Sequence, residues 1–130
     1  MSTTREQETV ARIQPEHRTL DSYFDDTKGR LTGADGTVAC RQLREALEIH
    51  FDQEESLYFP VVRRLCPDLN DKISGFAAAH AGFLSQLDST IAFLEAGEES
   101  RAEERFAALQ SGFARHELSE ESMIESIGNE

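Results

Sequence analysis

The chain has 130 residues, with 13 Lys and Arg against 25 Asp and Glu and a formal net charge of −12. That length suits one domain with a real core, and the acidic excess argues against nucleic acid or an anionic membrane as partner. No apolar run could cross a bilayer, and the start from Met1 to Glu6 has no apolar signal core, so a soluble cytoplasmic protein is expected.

Only three Pro and eight Gly punctuate the chain, which fits helices. Val10 and Ile13 belong to a leading arm, 1–13, because Pro15 is comfortable only in the first turn of the helix that follows. That helix covers about 14–28 and carries His17, Leu20 and Phe24 on one stripe. Gly33-Ala34-Asp35-Gly36 is a breaker. A second helix, about 37–66, has the stripe Leu43, Leu47, His50, Glu54, Leu57, Val61 and Leu65, with Pro60 expected to kink it or break it locally.

The third helix, about 69–95, carries Ile73, Phe76, Ala77, His80, Leu84, Leu87, Ile91 and Leu94, and Gly97 is its stop signal. The fourth, about 100–127, carries Ala102, Phe106, Leu109, Phe113, His116, Glu120, Met123 and Ile127. These steps of three and four are the seam spacing of packed helices. The expected fold is all-α: one domain over 1–130, an antiparallel up-down-up-down four-helix bundle. Cys40 and Cys66 lie roughly 39 Å apart along a continuous helix at 1.5 Å per residue, beyond disulfide reach. Two free thiols in packing or surface positions fit a reducing compartment.

The organising stretch is His50-Phe51-Asp52-Gln53-Glu54-Glu55-Ser56-Leu57, which returns as His116-Glu117-Leu118-Ser119-Glu120-Glu121-Ser122-Met123. Both read His-x-x-x-Glu-Glu-Ser-apolar, and residues four apart stack on one helix face. All four histidines fall on the four stripes, one per helix. Four imidazoles and two carboxylates at core positions would cost several kcal/mol if unpaired, so a satisfied-histidine reading suits any one helix but not all of them in register. The candidate metal ligands are His17, His50, Glu54, His80, His116 and Glu120. Six exceed the need of one tetrahedral zinc. Two metals with both carboxylates bridging, and an oxo or hydroxo bridge, suit iron or manganese, with zinc possible. The Glu-x-x-His motif of ferritin-like di-iron bundles is absent, since Gln14, Leu47, Ala77 and Phe113 stand three before the histidines.

In this order the residues resemble the hemerythrin-like family, the HHE cation-binding domains, over nearly the whole chain. The carriers are His17, His50-x-x-x-Glu54 followed by Leu57-Tyr58-Phe59-Pro60, His80, and His116-x-x-x-Glu120. The resemblance implies an antiparallel four-helix bundle with two iron ions. His17 and His50 would bind one, His80 and His116 the other, and Glu54 and Glu120 would bridge them. Unlike the oxygen-carrying hemerythrins, the chain has Phe76 and Leu84 one turn either side of His80, so it lacks a fifth histidine. The carriers' His-x-x-x-x-Asp is replaced by Glu120, with Glu121 next to it. The set is similar to the di-iron domains of nitrosative-stress proteins that repair iron–sulfur clusters, and to actinobacterial hemerythrin-like proteins.

The expected function is binding or sensing of a small gaseous or peroxide ligand (oxygen, nitric oxide or hydrogen peroxide) in stress response, by a monomer or weak homodimer. The alternatives are a peroxide-dismutating or nitric-oxide-reducing enzyme, an iron donor for cluster repair, an iron reservoir, or a structural zinc bundle. No catalytic acid or base is identifiable beyond the ligands. An apolar lining is expected from Phe24, Leu47, Phe76, Phe83 and Phe113. Tyr23 and Tyr58 read as packing aromatics, and Glu55, Glu117, Glu121, Asp21, Asp25 and Asp26 as solvated.

Overall fold

Four long helical rods follow from the four stripes, and the computed structural model describes them over residues 4–128. The ends of the expected domain, 1–3 and 129–130, lie outside the described residues. The leading arm is itself helical: α1 (Thr4–Ala11) turns at Arg12 into α2 (Ile13–Arg30), whose first turn holds Pro15, where a missing N–H costs no helical bond. α3 (Gly36–Gln53) passes through a π-turn (Glu54–Tyr58) into α4 (Phe59–Leu65). After a 3₁₀ turn at Pro67–Leu69 come α5 (Asn70–Glu95) and α6 (Glu99–Gly128). The described chain is an all-α four-helix bundle, with α3 and α4 forming one rod and α1 laid against its open end.

Two glycines permit the tight reversals. A Cβ on Gly36 would sit 2.0 Å from the Leu31 carbonyl oxygen, so the α2–α3 corner closes only over a bare Cα. Gly97 has φ 76° and ends α5. The Glu98 N–H donates to the Phe93 carbonyl (2.8 Å) and the Gly97 N–H to that of Leu94 (3.1 Å), the paired bonds that satisfy a helix's last carbonyls.

Pro60 does break the second rod, and the break changes the register. It has no N–H to give, and the Phe59 N–H before it reaches back five residues to the Glu54 carbonyl. One extra residue is thereby fitted into the turn. The expected stripe fails here: Leu57 is 41% exposed, and Tyr58 takes the inward place at 0%. Val61 and Val62 continue the buried face.

The core divides in two. Toward the α2–α3 and α5–α6 corners lie Leu20, Phe24, Leu43, Leu47, Phe106, Leu109 and Phe113 among others, with Phe24 stacked on Phe113 at 5.1 Å between centroids. Toward α1 lie Val10, Ile13, Tyr58, Phe59, Val62, Ile73 and Met123. Each fully buried side chain of this kind contributes roughly 1.5–3 kcal/mol. Cys40 is buried within the first cluster, where burial pushes its thiol up to about 11; it and Cys66 are free. No helix is long and apolar enough to cross a membrane among the described residues. Between the two apolar clusters runs one polar layer.

Candidate metal centre

Each long rod brings one buried histidine to that layer: His17 from α2, His50 from α3, His80 from α5 and His116 from α6, all 9% exposed or less. Glu54 opens the π-turn one helical turn beyond His50, and Glu120 stands in the same relation to His116; they are 0% and 1% exposed. The six side chains singled out in the sequence come together here.

Their arrangement is crosswise. Glu54 Oε1 lies 3.4 Å from His50 Nε2 and 3.1 Å from His80 Nε2. Glu120 Oε1 lies 3.3 Å from His17 Nε2 and 3.4 Å from His116 Nε2. Each carboxylate thus touches one histidine of the first half of the chain and one of the second. Ligand atoms of His17, His50, Glu54 and Glu120 fall within 4.8 Å of one another, as do those of Glu54, His80 and His116. Either group could hold a cation, with Glu54 common to both.

The four Nε2 atoms and all four oxygens of Glu54 and Glu120 are buried with no hydrogen-bond partner. A buried polar atom left so costs on the order of 1–3 kcal/mol, more for a charge. A cation coordinated by these atoms removes that cost. The donor set therefore fits a metal pair, and the electrostatics describe the same strain without one. Burial, with Glu120 beside it, pushes Glu54 up to about 11. Burial opposes ionisation of Glu120 as well, but the contacts with His17, Glu54 and His116 outweigh it and hold Glu120 below the usual range. Burial, then the neighbouring His17 imidazole, pushes His50 down to about 4. His116 is lowered mainly by burial. His17 is raised: burial disfavours its cation, but the Glu120 and Glu121 carboxylates facing it win.

The second carboxylate of each repeat also reaches a histidine, although Glu55 is exposed, as expected, and Glu121 is half-buried. Glu55 Oε2 lies 2.9 Å from His80 Nδ1, and Glu121 Oε2 lies 3.1 Å from His17 Nδ1. About 100° around the helix from the inward Glu, each reaches the lone histidine of the adjacent rod. A carboxylate on Nδ1 fixes the tautomer that leaves Nε2 free for a metal, and makes the ring a better donor. The doubled Glu-Glu in both copies was the available signal. Glu117 corrects the reading further. It is 4% exposed, its Oε2 lies 3.9 Å from His17 Nδ1, and burial with Asp21 alongside pushes it up to about 10. Asp21, Asp25 and Asp26 are exposed, as expected.

Aromatic rings pack the other flank. Phe51 stacks on His80 at 3.9 Å, with planes 7° apart, and Phe59 lies 6.0 Å away on the same imidazole. Phe76, Phe83 and Phe113 surround His116 at 5.2, 5.0 and 6.2 Å. Phe51 and Phe59 were not among the expected lining residues, although Phe51 follows His50 directly in sequence. Tyr23 is 43% exposed, on an apolar groove that also reaches His50. Tyr58 is fully buried with its hydroxyl unpaired. Burial and the Glu16 carboxyl beside it push that phenol up to about 12.

The sequence profile of the hemerythrin HHE cation-binding domain matches residues 8–126. No curated protein and no solved structure matches the chain. A match across nearly all of the bundle, with the histidines and glutamates gathered at its centre, makes this chain a member of the hemerythrin HHE cation-binding domain family.

Proposed function

We propose that the six side chains hold two iron ions and that the protein binds or senses a small neutral ligand there: oxygen, nitric oxide or peroxide. The observation that carries this is the set of eight buried, unpaired donor atoms on four histidines and two glutamates. His17 and His50 would hold one ion and His80 and His116 the other, because the ligand atoms of each pair gather with Glu54 within 4.8 Å of one another. Mixed imidazole and carboxylate donors favour iron or manganese. When bound, iron supplies the redox and ligand-binding chemistry.

The chain's own residues prepare the site. Glu55 and Glu121 orient His80 and His17, and the phenylalanines pack against the rings of His80 and His116. A groove of about 240 Å³, lined by Leu20, Tyr23, Ala46 and Ile49 together with Glu16, Thr19 and Gln53, reaches His50 and is wide enough for a small ligand. Phe76, one turn from His80, leaves no fifth imidazole to fill a coordination position. A cytoplasmic role in oxidative or nitrosative stress accords with two free thiols.

Elemental analysis of purified protein should give two iron ions per chain. One tightly held zinc, or none in folded protein, removes this reading. Reduced, iron-loaded protein should bind nitric oxide readily and oxidise in air. A spectral change with oxygen that reverses fully under vacuum would make it an oxygen carrier instead. The enzyme reading has one observation in its favour, the buried Tyr58 hydroxyl facing Glu16 near Glu54, a hydrogen-bond donor that stays protonated at neutral pH. If the protein turns over peroxide and Tyr58→Phe slows it while keeping its iron, that second reading prevails.

A further inference from the structure

One surface cleft next to the centre is lined by acidic side chains with no basic one among them. It measures about 410 Å³, lies between α2 and α6, and its acidic lining residues are Asp21, Asp25, Glu117 and Glu121. The larger cleft beside His80, about 920 Å³, has Glu48, Asp52 and Glu55 but also Arg44, which pairs with Glu48 and Asp88. Acidic surface alone is ordinary. What sets this cleft apart is Glu117: a carboxylate 4% exposed, lining the cleft, whose Oε2 has no hydrogen-bond partner. That oxygen lies 3.9 Å from His17 Nδ1, and Glu121 Oε2 lies 3.1 Å from the same nitrogen. Behind the Glu117 and Glu121 carboxyls that line the cleft therefore stands the outer edge of His17, whose inner edge faces Glu120. A buried carboxylate oxygen with nothing to bind is stabilised by a cation, and oxygen donors of this kind suit hydrated divalent ions.

We propose that this cleft is a loading site for divalent cations: a hydrated ion binds Asp21, Glu117 and Glu121 and passes along the His17 edge into the buried centre. The proposal rests on the reading of that centre as a metal site. Asp25, held by a 3.1 Å hydrogen bond from Gln110 Nε2, adds charge at the mouth. A groove also reaches His50 and a cleft reaches His80, but a charged ion needs a path that replaces its water with oxygen donors in steps, and here Glu117 and Glu121 lie against His17.

Stopped-flow uptake of Co²⁺ by the metal-free full chain, followed by its visible absorption, tests this. The double substitution Asp21→Asn with Asp25→Asn alters exposed residues that do not touch the buried donors. It should slow uptake about tenfold or more at low ionic strength, while the final cobalt content and spectrum match wild type. Glu117→Gln should also slow uptake. Glu103→Gln with Glu104→Gln removes the same charge from exposed positions elsewhere on α6 and should load at the wild-type rate. Unchanged rates in the cleft variants, or equal slowing by the distant pair, overturn the proposal. Wild-type protein that takes up no cobalt would instead refute the buried centre as a metal site, and the loading site with it.

Discussion

The two histidine pairs occupy the same layer, come from the same repeat, and live in different surroundings. His17 faces three carboxylates, those of Glu117, Glu120 and Glu121, and its cation is favoured despite burial. His80 and His116 are packed by five phenylalanines, Phe51, Phe59, Phe76, Phe83 and Phe113, and His116 is disfavoured as a cation. A repeated motif sets where donor atoms go. The residues between and around the repeats set how charge is tolerated there. The two proposed metal positions should therefore be inequivalent in loading, affinity and redox behaviour.

The largest test of that asymmetry removes a carboxylate common to both positions. Glu54→Ala and Glu120→Ala should each lose most of the bound metal, as read by elemental analysis. If either keeps one full equivalent, that carboxylate serves one pair alone and the crosswise arrangement is wrong.

Next in size are the carboxylates on Nδ1. Glu55→Ala should weaken metal binding by about ten- to a hundredfold, the usual effect of removing such a partner, measured by competition with a chelator. This differs from what a solvated Glu55 implies, which is retention of metal. Glu121→Ala should cost less, because Glu117 stands 3.9 Å from the same His17 nitrogen as a substitute acceptor, whereas the only carboxylate on His80 Nδ1 among the described residues is that of Glu55. A larger loss in Glu121→Ala would reverse the ranking of the two sides.

Metal-free protein should also lose stability as pH rises. Glu54 and Glu117 have folded values of about 11 and about 10 against 4.5 for an ordinary glutamate. Between those limits the folded state holds more protons than the unfolded chain. Stability is then complete below the unfolded value and falls with rising pH, by at most about 1.4 kcal/mol per unit for each group. Calorimetry of the metal-free protein at pH 6 and pH 8 should show the drop, and Glu54→Gln should shrink it. A flat profile in the wild type would mean that these carboxyls are better solvated than their burial indicates.

The smallest effect belongs to the rim of the aromatic side, where Arg44 ties α3 to α5 through Asp88, Nε to Oδ1 at 2.7 Å. The Arg44 hydrogen bond holds Asp88 below the ordinary carboxylate range. Its contribution is present above the unfolded value and lost as pH falls, the opposite sign to Glu54. Because the pair is exposed, Asp88→Asn should cost under about 1 kcal/mol in chemical denaturation. A larger loss would mean that this rim braces the His80 wall.

Much of this was legible in the sequence, for a physical reason. His17, His50, Glu54, His80, His116 and Glu120 interrupt apolar stripes, and a stripe tells inside from outside without knowledge of the neighbours. Glu55 and Glu121 were not legible in that way. They sit beside the stripe, and only the placement of α5 and α2 shows that a sideways carboxylate meets an imidazole. Glu117 was missed because the gap between α2 and α6 is a property of two helices, not of one. The exchange of Leu57 for Tyr58 had a signal in Pro60, but a proline announces a disruption without saying which residue absorbs it. The helical α1 was hidden by the same kind of cue, since Pro15 begins the next rod without forbidding a helix before it.

The π-turn between Glu54 and Tyr58 amounts to a phase correction in a long rod. Upstream, the residues must keep step with three other histidine-bearing helices so that donors meet at one depth. Downstream, Tyr58, Phe59 and Val62 must keep step with a different set, Val10, Ile13 and Met123. An uninterrupted helix would lock both rhythms together, and a substitution that retuned one would detune the other. One surplus residue uncouples them. The lower floor is then free to drift in sequence while the donor layer stays in time.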